Sequence, residues 1–278
     1  AKEFFENQLK TLNTPYIDFY LLHALDKETW ECAKTSGILD YLVAQKEAGK
    51  IKYLGFSFHD TYEVFEDIRK WDFCQIQYNY VDRNIQAGDK GYELCERLEI
   101  PMVIMEPIKG GSLATLPDDI TKPFTEYDAS KSTASWALRW VASHPNIKVI
   151  LSGMTTMEQV VDNVNTFSSL SALNEEEHAL VEKVANDIHS RIKVGCTACQ
   201  YCMPCPAGVK IPQNFRLWND LSMYGNKESV VRRYNSMVKE EGSATNCIEC
   251  GACESLCPQN IEIRDMLKEA HKALKEVL

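Results

Sequence analysis

Eight of the eleven cysteines in this 278-residue chain fall into two short runs. The first run reads Cys-Thr-Ala-Cys-Gln-Tyr-Cys-Met-Pro-Cys-Pro, and the second reads Cys-Ile-Glu-Cys-Gly-Ala-Cys-Glu-Ser-Leu-Cys-Pro. Their cysteines are Cys196, Cys199, Cys202 and Cys205 in the first, and Cys247, Cys250, Cys253 and Cys257 in the second. Closely spaced thiols let one tight turn place soft ligands around one face of a metal cluster, and the fourth ligand must come from elsewhere. No other feature constrains the second half of the chain as strongly.

The second run resembles the C-x2-C-x2-C-x3-C-P run of bacterial two-cluster ferredoxins. The first is the same run, shortened by one residue before its last cysteine. In those proteins the fourth cysteine of each run binds the other cluster. The resemblance therefore implies two [4Fe-4S] clusters with crossed ligands. One set is Cys196, Cys199, Cys202 and Cys257, and the other is Cys247, Cys250, Cys253 and Cys205.

Two other uses of cysteine remain open at this point. Structural zinc also uses C-x2-C knuckles, but usually as four cysteines in two pairs rather than as triplets with an offset Cys-Pro. Disulfide frameworks are typical of small secreted chains, whereas this chain is large and has three more cysteines outside the runs. Those three, Cys32, Cys74 and Cys95, are predicted to be buried thiols without a ligand role.

Composition bounds the remaining possibilities. A formal net charge of −10 without any basic run argues against nucleic acid as a partner. No stretch of about 18 apolar residues occurs, so no membrane span is expected. The hydrophobic content of 45% is enough for a sizeable core with a small second module. These features predict a cytoplasmic protein, and exposed iron-sulfur clusters would favour a reducing setting.

Residues 1 to 165 alternate between short apolar segments and helical patterns. The apolar segments predict five strands, at Tyr16–Leu22, Ile51–Phe56, Phe73–Tyr78, Met102–Met105 and Ile147–Leu151. Helical patterns fill the intervals, for example near residues 61–70, 87–98 and 130–143. Strands that alternate with helices of this length form βαβ units around a parallel sheet buried on both faces.

Two α/β architectures satisfy this alternation. A doubly wound sheet predicts a G-x-G-x-x-G turn after a strand, and the sequence has none. A (β/α)8 barrel predicts polar residues at the carboxyl ends of strands and anion-binding loops after the last two. Polar residues do stand at the strand ends, namely His23, Ser57, Gln75, Gln77, Glu106 and Ser152. The loops at residues 109–112 and 152–155 offer small residues and backbone donors, which favours the barrel.

Successive segments resemble the landmarks of the aldo/keto reductase family. They are Tyr-Ile-Asp-Phe-Tyr-Leu-Leu-His (16–23), Ala-Gly-Lys-Ile-Lys-Tyr-Leu-Gly-Phe-Ser (48–57), Gln-Ile-Gln-Tyr-Asn (75–79), Glu-Pro (106–107) with Gly-Gly (110–111), and Ala-Leu-Arg-Trp (137–140). The resemblance implies an aldo/keto reductase-type barrel, of which this chain carries the last five βα units. It also implies bound NAD(P)H and hydride transfer to a small-molecule carbonyl, or from an alcohol in reverse. The tail resembles the di-cluster ferredoxin module fused to one bacterial branch of the family.

The resemblance assigns roles by position. His23 matches the catalytic histidine that orients the carbonyl, and Ser57 and Gln75 match residues that bind the nicotinamide carboxamide. The remaining predicted cofactor-binding residues lie in the two loops and the segment after them, namely Lys109, Gly110, Gly111, Ser152, Gly153 and Asn163. The choice between NADH and NADPH stays open, because Gly153 and Gln159 stand where cations often clamp a 2′-phosphate.

The family's catalytic Tyr, Asp and Lys lie on the first three barrel strands, and this sequence begins at the helix before the fourth. The chain as given is therefore expected to be inactive without those strands. Its apolar edge strands are expected to be covered by another chain, as in an oligomer. The leading hypothesis is an oxidoreductase with single-electron relay through the clusters, a flavin or a redox partner protein being left open as mediator. The alternative is a non-catalytic electron-transfer or partner-docking module.

The barrel domain is predicted over residues 1–190 and an all-α di-cluster domain over residues 191–278. Asn174 followed by three glutamates begins a helix that continues to Ile188 and leads the chain to Cys196. Two amphipathic helices fit between Cys205 and Cys247, and a third spans about residues 262–277. Helices of this kind between the runs favour a helical cluster domain over a compact β-rich ferredoxin.

Overall fold

The computed structural model of the protein describes residues 2–68 and 71–278. It divides into two compact units. The first comprises Ala1–Gly110 and Ser135–His178, and the second comprises Gly111–Ala134 and Ala179–Leu278. The chain passes from one unit to the other three times, after Gly110, Ala134 and His178. A single domain boundary near residue 190 therefore stays a prediction.

The first unit is built on a five-stranded parallel sheet. Its strands pair in chain order, and they are β1 (Ile17–Leu25), β2 (Ile51–Phe58), β3 (Phe73–Gln77), β4 (Met102–Met105) and β5 (Ile147–Ile150). Neighbouring parallel strands need a crossover, which helices usually supply. The predicted α/β fold with a parallel sheet and five βα units is confirmed.

Thirteen α-helices occur in the described residues. In chain order they are α1 (Lys2–Thr11), α2 (Lys27–Thr35), α3 (Ile38–Glu47), α4 (Tyr62–Asp67), α5 (Gly88–Arg97), α6 (Asp118–Tyr127), α7 (Thr133–Ala142), α8 (Met157–Ser168), α9 (Glu175–His189), α10 (Ile211–Tyr224), α11 (Lys227–Lys239), α12 (Ala252–Ser255) and α13 (Ile263–Lys275). Short 3-10 turns lie at Lys109–Gly111 and Ala244–Asn246.

The register of the sheet brings the predicted polar residues to one edge. Ser57 pairs with Gln75, and Gln75 pairs in turn with Val103. Gln77 pairs with Met105, two residues further along the same strands. Because parallel strands share one direction, the carboxyl ends of all five meet at this edge, where barrels of this kind place their active sites. We call it the carboxyl edge.

Aromatic packing fixes β2 within the sheet. Phe56 and Phe58 are buried, and their rings lie 5.7 and 5.1 Å from the ring of Phe65 on α4. Gly55 is required beside them, because a Cβ atom there would lie 2.6 Å from the Phe73 ring. The tight approach of β2 to β3 at Gly55 holds Ser57 and Gln75 in register two residues later.

The two outer strands have apolar surface that reaches solvent. Within residues 2–68 and 71–278, β1 pairs with β2 alone and β5 with β4 alone. Phe19 on β1 is 65% exposed and Val149 on β5 is 47% exposed. That another chain covers these strands stays a prediction. No helix in the described part of the chain combines the length and apolar character that crossing a membrane requires.

The C-terminal part of the second unit is helical, as predicted. Helix α10 packs against α11 and α13, and α13 also packs against α12. Six of the eight run cysteines, all except Cys199 and Cys250, pack against one cluster of buried apolar residues, which includes Val194, Val209, Ile211, Phe215, Ile263 and Leu267. The cysteine runs therefore form part of the core of this region.

Candidate functional site

The second unit contains two cavities walled by cysteine thiols. The first cavity is lined by Cys196, Cys199, Cys202 and Cys257, together with apolar residues such as Ile211 and Phe215. The second cavity is lined by Cys205, Cys247, Cys250 and Cys253, with Cys202 and Ile211 also at its wall. The four-thiol sets around the cavities match the two crossed sets that the sequence predicts. Ligation itself stays a prediction.

The two cysteine runs have left-handed residues at the same two places, although their sequences differ between the cysteines. In the first run Ala198 and Gln200 have positive φ angles of 55° and 64°. At the equivalent places in the second run, Glu249 and Gly251 have φ angles of 55° and 74°. Left-handed conformations cost energy for residues other than glycine, so they mark sites that the surroundings hold in place. Alternating conformations of this kind turn successive amides inward and form the anion-binding nests found at iron-sulfur sites.

The chemistry of the donors fits a cubane in each cavity. All eleven cysteines, each within the described residues, are free thiols. Of the three outside the runs, Cys74 and Cys95 are buried as predicted, whereas Cys32 on α2 is exposed, so the prediction was wrong for Cys32. Within residues 2–68 and 71–278, no group of three His, Cys, Asp or Glu side chains lies close enough together to bind a single metal ion. Four thiols spread around a cavity are instead what the corners of a cubane need. Burial raises the pKa of the thiols of Cys196, Cys202 and Cys253, so a bound cationic centre is needed to stabilise their thiolates.

Exposure distinguishes the cysteines within each run. The middle cysteines Cys199 and Cys250 are exposed, whereas the cysteines on either side of them are half-buried. One corner of each predicted cluster therefore faces solvent in the second unit. Among the run cysteines, these two are the most accessible to a molecule in solution.

At the carboxyl edge of the first unit, Ser57 has a structural task of its own. Its Oγ accepts a hydrogen bond from the Ala24 amide at 2.7 Å. Ala24 has a φ angle of 53°, at the point where the pairing of β1 with β2 shifts register. Ser57 is 1% exposed, and a hydroxyl that accepts one hydrogen bond still has its proton to donate. Gln75, half-buried, donates from Nε2 to Met105 Sδ at 3.5 Å.

The predicted catalytic histidine is exposed at the outer strand. His23 lies near the end of β1 and lines an open cavity with apolar residues of β1, α1 and α3, including Phe19 and Leu42. The carboxyl-edge residues Ser57 and Gln75 are paired neighbours on β2 and β3. Their binding of a nicotinamide, like the catalytic role of His23, stays a prediction.

The loop after β4 is held by a buried carboxylate that the sequence analysis did not single out. Asp82, 2% exposed, accepts hydrogen bonds from Lys109 Nζ at 2.8 and 2.5 Å on its two oxygens. Gln77 Nε2 and Asn79 Nδ2 donate to the same carboxylate, at 2.8 and 3.1 Å. Asn79 also donates to the backbone oxygen of Glu106 at 3.1 Å. The predicted cofactor residue Lys109 thus anchors its own loop through an ion pair.

This loop has an unusual backbone. Glu106 and Lys109 have φ angles of 56° and 50°, and Gly110 and Gly111 have 59° and 94°. Four left-handed residues within six positions turn the chain sharply, and the network around Asp82 holds that turn. The only hint in the sequence was the polar character of Asp82 itself, since its contacts with Lys109 span 27 residues.

The loop after β5 is more exposed. Asn163 on α8 donates to Ser152 Oγ at 3.0 Å, which links two predicted cofactor residues. Gly153 lies between them in an exposed stretch. Helix α8 begins at a capping box, in which Thr156 and Gln159 exchange hydrogen bonds with each other's backbone. This arrangement uses the Gln159 amide for the cap.

Both the N-terminal and the C-terminal part of the chain match known protein families. The model of the aldo/keto reductase family matches residues 1–186, and that of the 4Fe-4S dicluster domain matches residues 195–262. The Uncharacterized oxidoreductase YqkF of Bacillus subtilis is 23% identical over 211 residues, which are 68% of this chain and 67% of YqkF.

Solved structures share the fold. The aldo-keto reductase AKR11C1 from Bacillus halodurans superposes with a TM-score of 0.55 at 22% identity, over 66% of this chain and 63% of its own. The thermostable aldo-keto reductase Tm1743 gives 0.52 at 24% identity, over 65% and 64%. The chain spans less than two thirds of the length of these structures. It belongs to the aldo/keto reductase family and carries a C-terminal 4Fe-4S dicluster domain.

Proposed function

We propose that this protein is an oxidoreductase in which two [4Fe-4S] clusters relay single electrons to or from nicotinamide-linked reduction of a carbonyl, or its reverse. The observation that carries the proposal is the pair of four-thiol cavities with matching left-handed turns. Each cluster exchanges one electron and a hydride carries two, so the pair together matches one hydride. A reducing compartment such as the cytoplasm suits thiolate ligands of this kind.

The carboxyl edge supports the nicotinamide part of the proposal. Ser57 and Gln75 stand side by side on β2 and β3, with a hydroxyl proton and an amide available to a carboxamide. The left-handed turn follows β4, the strand that pairs with β3, and it offers backbone amides; Asp82 stabilises that turn through Lys109. In this arrangement Lys109 positions the loop, and the loop amides bind the anionic part of the cofactor.

The test is anaerobic reconstitution followed by titration. About eight irons and eight sulfides per chain are expected from two cubanes, whereas one or two equivalents of zinc would refute the cluster assignment. NADH or NADPH is then added to the oxidised protein under anaerobic conditions, and the visible absorbance of the clusters is followed. Bleaching that is weakened in Gln75→Leu supports coupling between the two sites. Clusters that keep their oxidation state with both nucleotides, and with any substrate, would refute it.

A second function is favoured by the exposed corners at Cys199 and Cys250. The chain would then be an electron-transfer module that exchanges electrons with a redox partner protein and does no chemistry at the carboxyl edge. It predicts clusters that cycle rapidly with artificial one-electron carriers, together with no measurable binding of either nicotinamide nucleotide. Calorimetric titration of NADH and NADPH separates the two functions.

A further inference from the structure

Helix α10 stands between the two cysteine runs in sequence and beside both cavities in space. Its first residue, Ile211, contributes to the wall of each cavity. Two asparagines on this helix, Asn214 and Asn219, face the chain that leads into the two runs. At about 100° per residue, five positions turn the helix by about 140° beyond a full revolution, so the two side chains leave it in different directions.

Asn219 holds the chain that leads into the first run. Its Oδ1 accepts hydrogen bonds from the amides of Lys193 and Val194 at 2.9 and 3.0 Å. Its Nδ2 donates to the Val194 carbonyl at 2.8 Å. Residues 190–200 belong to no helix or strand, so their backbone groups need partners from elsewhere. Asn219 supplies three of these hydrogen bonds two residues before Cys196.

Asn214 holds the chain that leads into the second run. It is fully buried, its Nδ2 donates to the Gly242 carbonyl at 3.0 Å, and its Oδ1 accepts from the Ala244 amide at 3.0 Å. The second Nδ2 proton is used within α10, on the Lys210 carbonyl at 2.9 Å. These bonds fix the backbone three residues before Cys247. Both asparagines thus use a donor and an acceptor of one planar amide, which no carboxylate or apolar side chain reproduces.

We propose that Asn214 and Asn219 are positioning residues, each of which sets the approach of one cysteine run to its cavity. Asn219 places Cys196 at the first cavity, and Asn214 places Cys247 at the second. The inference rests on the proposed binding of two clusters. It adds that one helix aligns both ligand sets, with one side chain dedicated to each.

The test uses the full chain, reconstituted anaerobically, and measures release of iron to an excess of a ferrous chelator. Wild type, Asn214→Ala and Asn219→Ala are compared with Asn226→Ala. Asn226 caps α11, and its side chain accepts a hydrogen bond from the Ser229 amide. Asn226→Ala is the matched control, because it also removes a hydrogen bond between side chain and backbone in the same unit. Each of the two test variants is expected to release about half of its iron about tenfold faster than wild type, as loss of two or three hydrogen bonds from side chain to backbone predicts.

The decisive observation is which of the two clusters loses its iron faster in each alanine variant. Cys199→Ala and Cys250→Ala, each of which removes a thiol from one cavity, supply reference electron paramagnetic resonance spectra for the two clusters. The fast half is expected to be the first cluster in Asn219→Ala and the second in Asn214→Ala. Asn226→Ala is expected to release both halves at the wild-type rate. Asn219→Asp keeps the acceptor atom, and we expect its release rate to lie between those of wild type and the alanine variant.

Several results would overturn the inference. Equal acceleration of both halves, in step with a lower thermal midpoint, would mean that the asparagines act only on overall stability. Wild-type rates in both alanine variants would show that the hydrogen bonds do not position the runs. If an alanine variant fails to fold, wild-type release by the folded aspartate and serine variants at the same position, Asn214 or Asn219, would have the same meaning. Wild-type protein that binds no iron would overturn the proposed function together with this inference, whereas iron binding without nicotinamide coupling leaves the inference intact.

Discussion

Replacement of Asp82 by asparagine tests how the loop after β4 is held. The substitution keeps the shape of the side chain but removes the negative charge that the Lys109 ammonium contacts at 2.5 Å. The Asp82 side chain is 3% exposed and that of Lys109 is 23% exposed. Breaking a fully buried ion pair by removing one partner costs about 3–5 kcal/mol, and partial hydration of the lysine reduces this to about 2–3 kcal/mol. The free energy of unfolding is expected to fall by that amount.

The assay is urea denaturation followed by circular dichroism, with Asp18→Asn as the matched control. Asp18 also pairs with a lysine, Lys52 at 2.5 Å, but both side chains are about half exposed, so its replacement is expected to change stability little. A double-mutant cycle with Lys109→Met then isolates the coupling between Asp82 and Lys109. An effect of Asp82→Asn no larger than that of Asp18→Asn, or a coupling energy near zero, would refute the reasoning.

Three further predictions concern separate parts of the chain. Cys250→Ala is expected to lower the iron content of the reconstituted protein, whereas Cys32→Ala, outside both runs, leaves it unchanged by colorimetric iron assay. Burial lowers the pKa of His144, so the folded state favours the neutral ring; stability is expected to fall as pH drops below about 6.5, and less so in His144→Phe, in denaturation at several pH values. In the wild type the buried Arg139 guanidinium lies 2.7 Å from the Glu177 carboxylate. Glu177→Gln removes that carboxylate and is expected to lower the free energy of unfolding by about 3–5 kcal/mol in the same denaturation assay; a loss below about 1 kcal/mol would contradict this.

The strands of the sheet were predictable because each is a short apolar run between turns. The strand Met102–Met105 has the predicted bounds, and Ile51 begins β2 as predicted. Strand β1 extends to Leu25 rather than ending at Leu22. In this extension the Ala24 amide donates a hydrogen bond to the Ser57 hydroxyl on the neighbouring strand β2. A partner 33 residues away leaves no trace in a local pattern.

Helices α2 and α6 are among the helices that the apolar pattern did not predict, and the reasons differ. Helix α2 is mostly polar, and its signal was the capping box of Asp26 and Thr29 at its first turn. Helix α6 contains Pro123, a residue that favours the end of a helix in any sequence-based prediction.

The candidate sites divide in the same way. The division of the cysteines into two ligand sets came from the resemblance to two-cluster ferredoxins; the cavity walls contain the same cysteines, and ligation stays a prediction. The ion pair of Asp82 with Lys109 and the contacts of the α10 asparagines with the chain before each run were not predictable, since these partners lie 25 or more residues away. Long-range hydrogen bonds of this kind are set by the packing of helices and strands, which no local pattern encodes.

The wall shared by the two cavities has an electrical consequence. Cys202 and Ile211 border both, so charge placed in one cavity lies a side chain away from the other. In an apolar medium such a short separation makes like charges repel strongly. An electron added on one side would therefore make the second addition harder, and two chemically alike sets of thiols would accept electrons in separate steps. The protein would then take up its two electrons at two separate potentials rather than both at one potential.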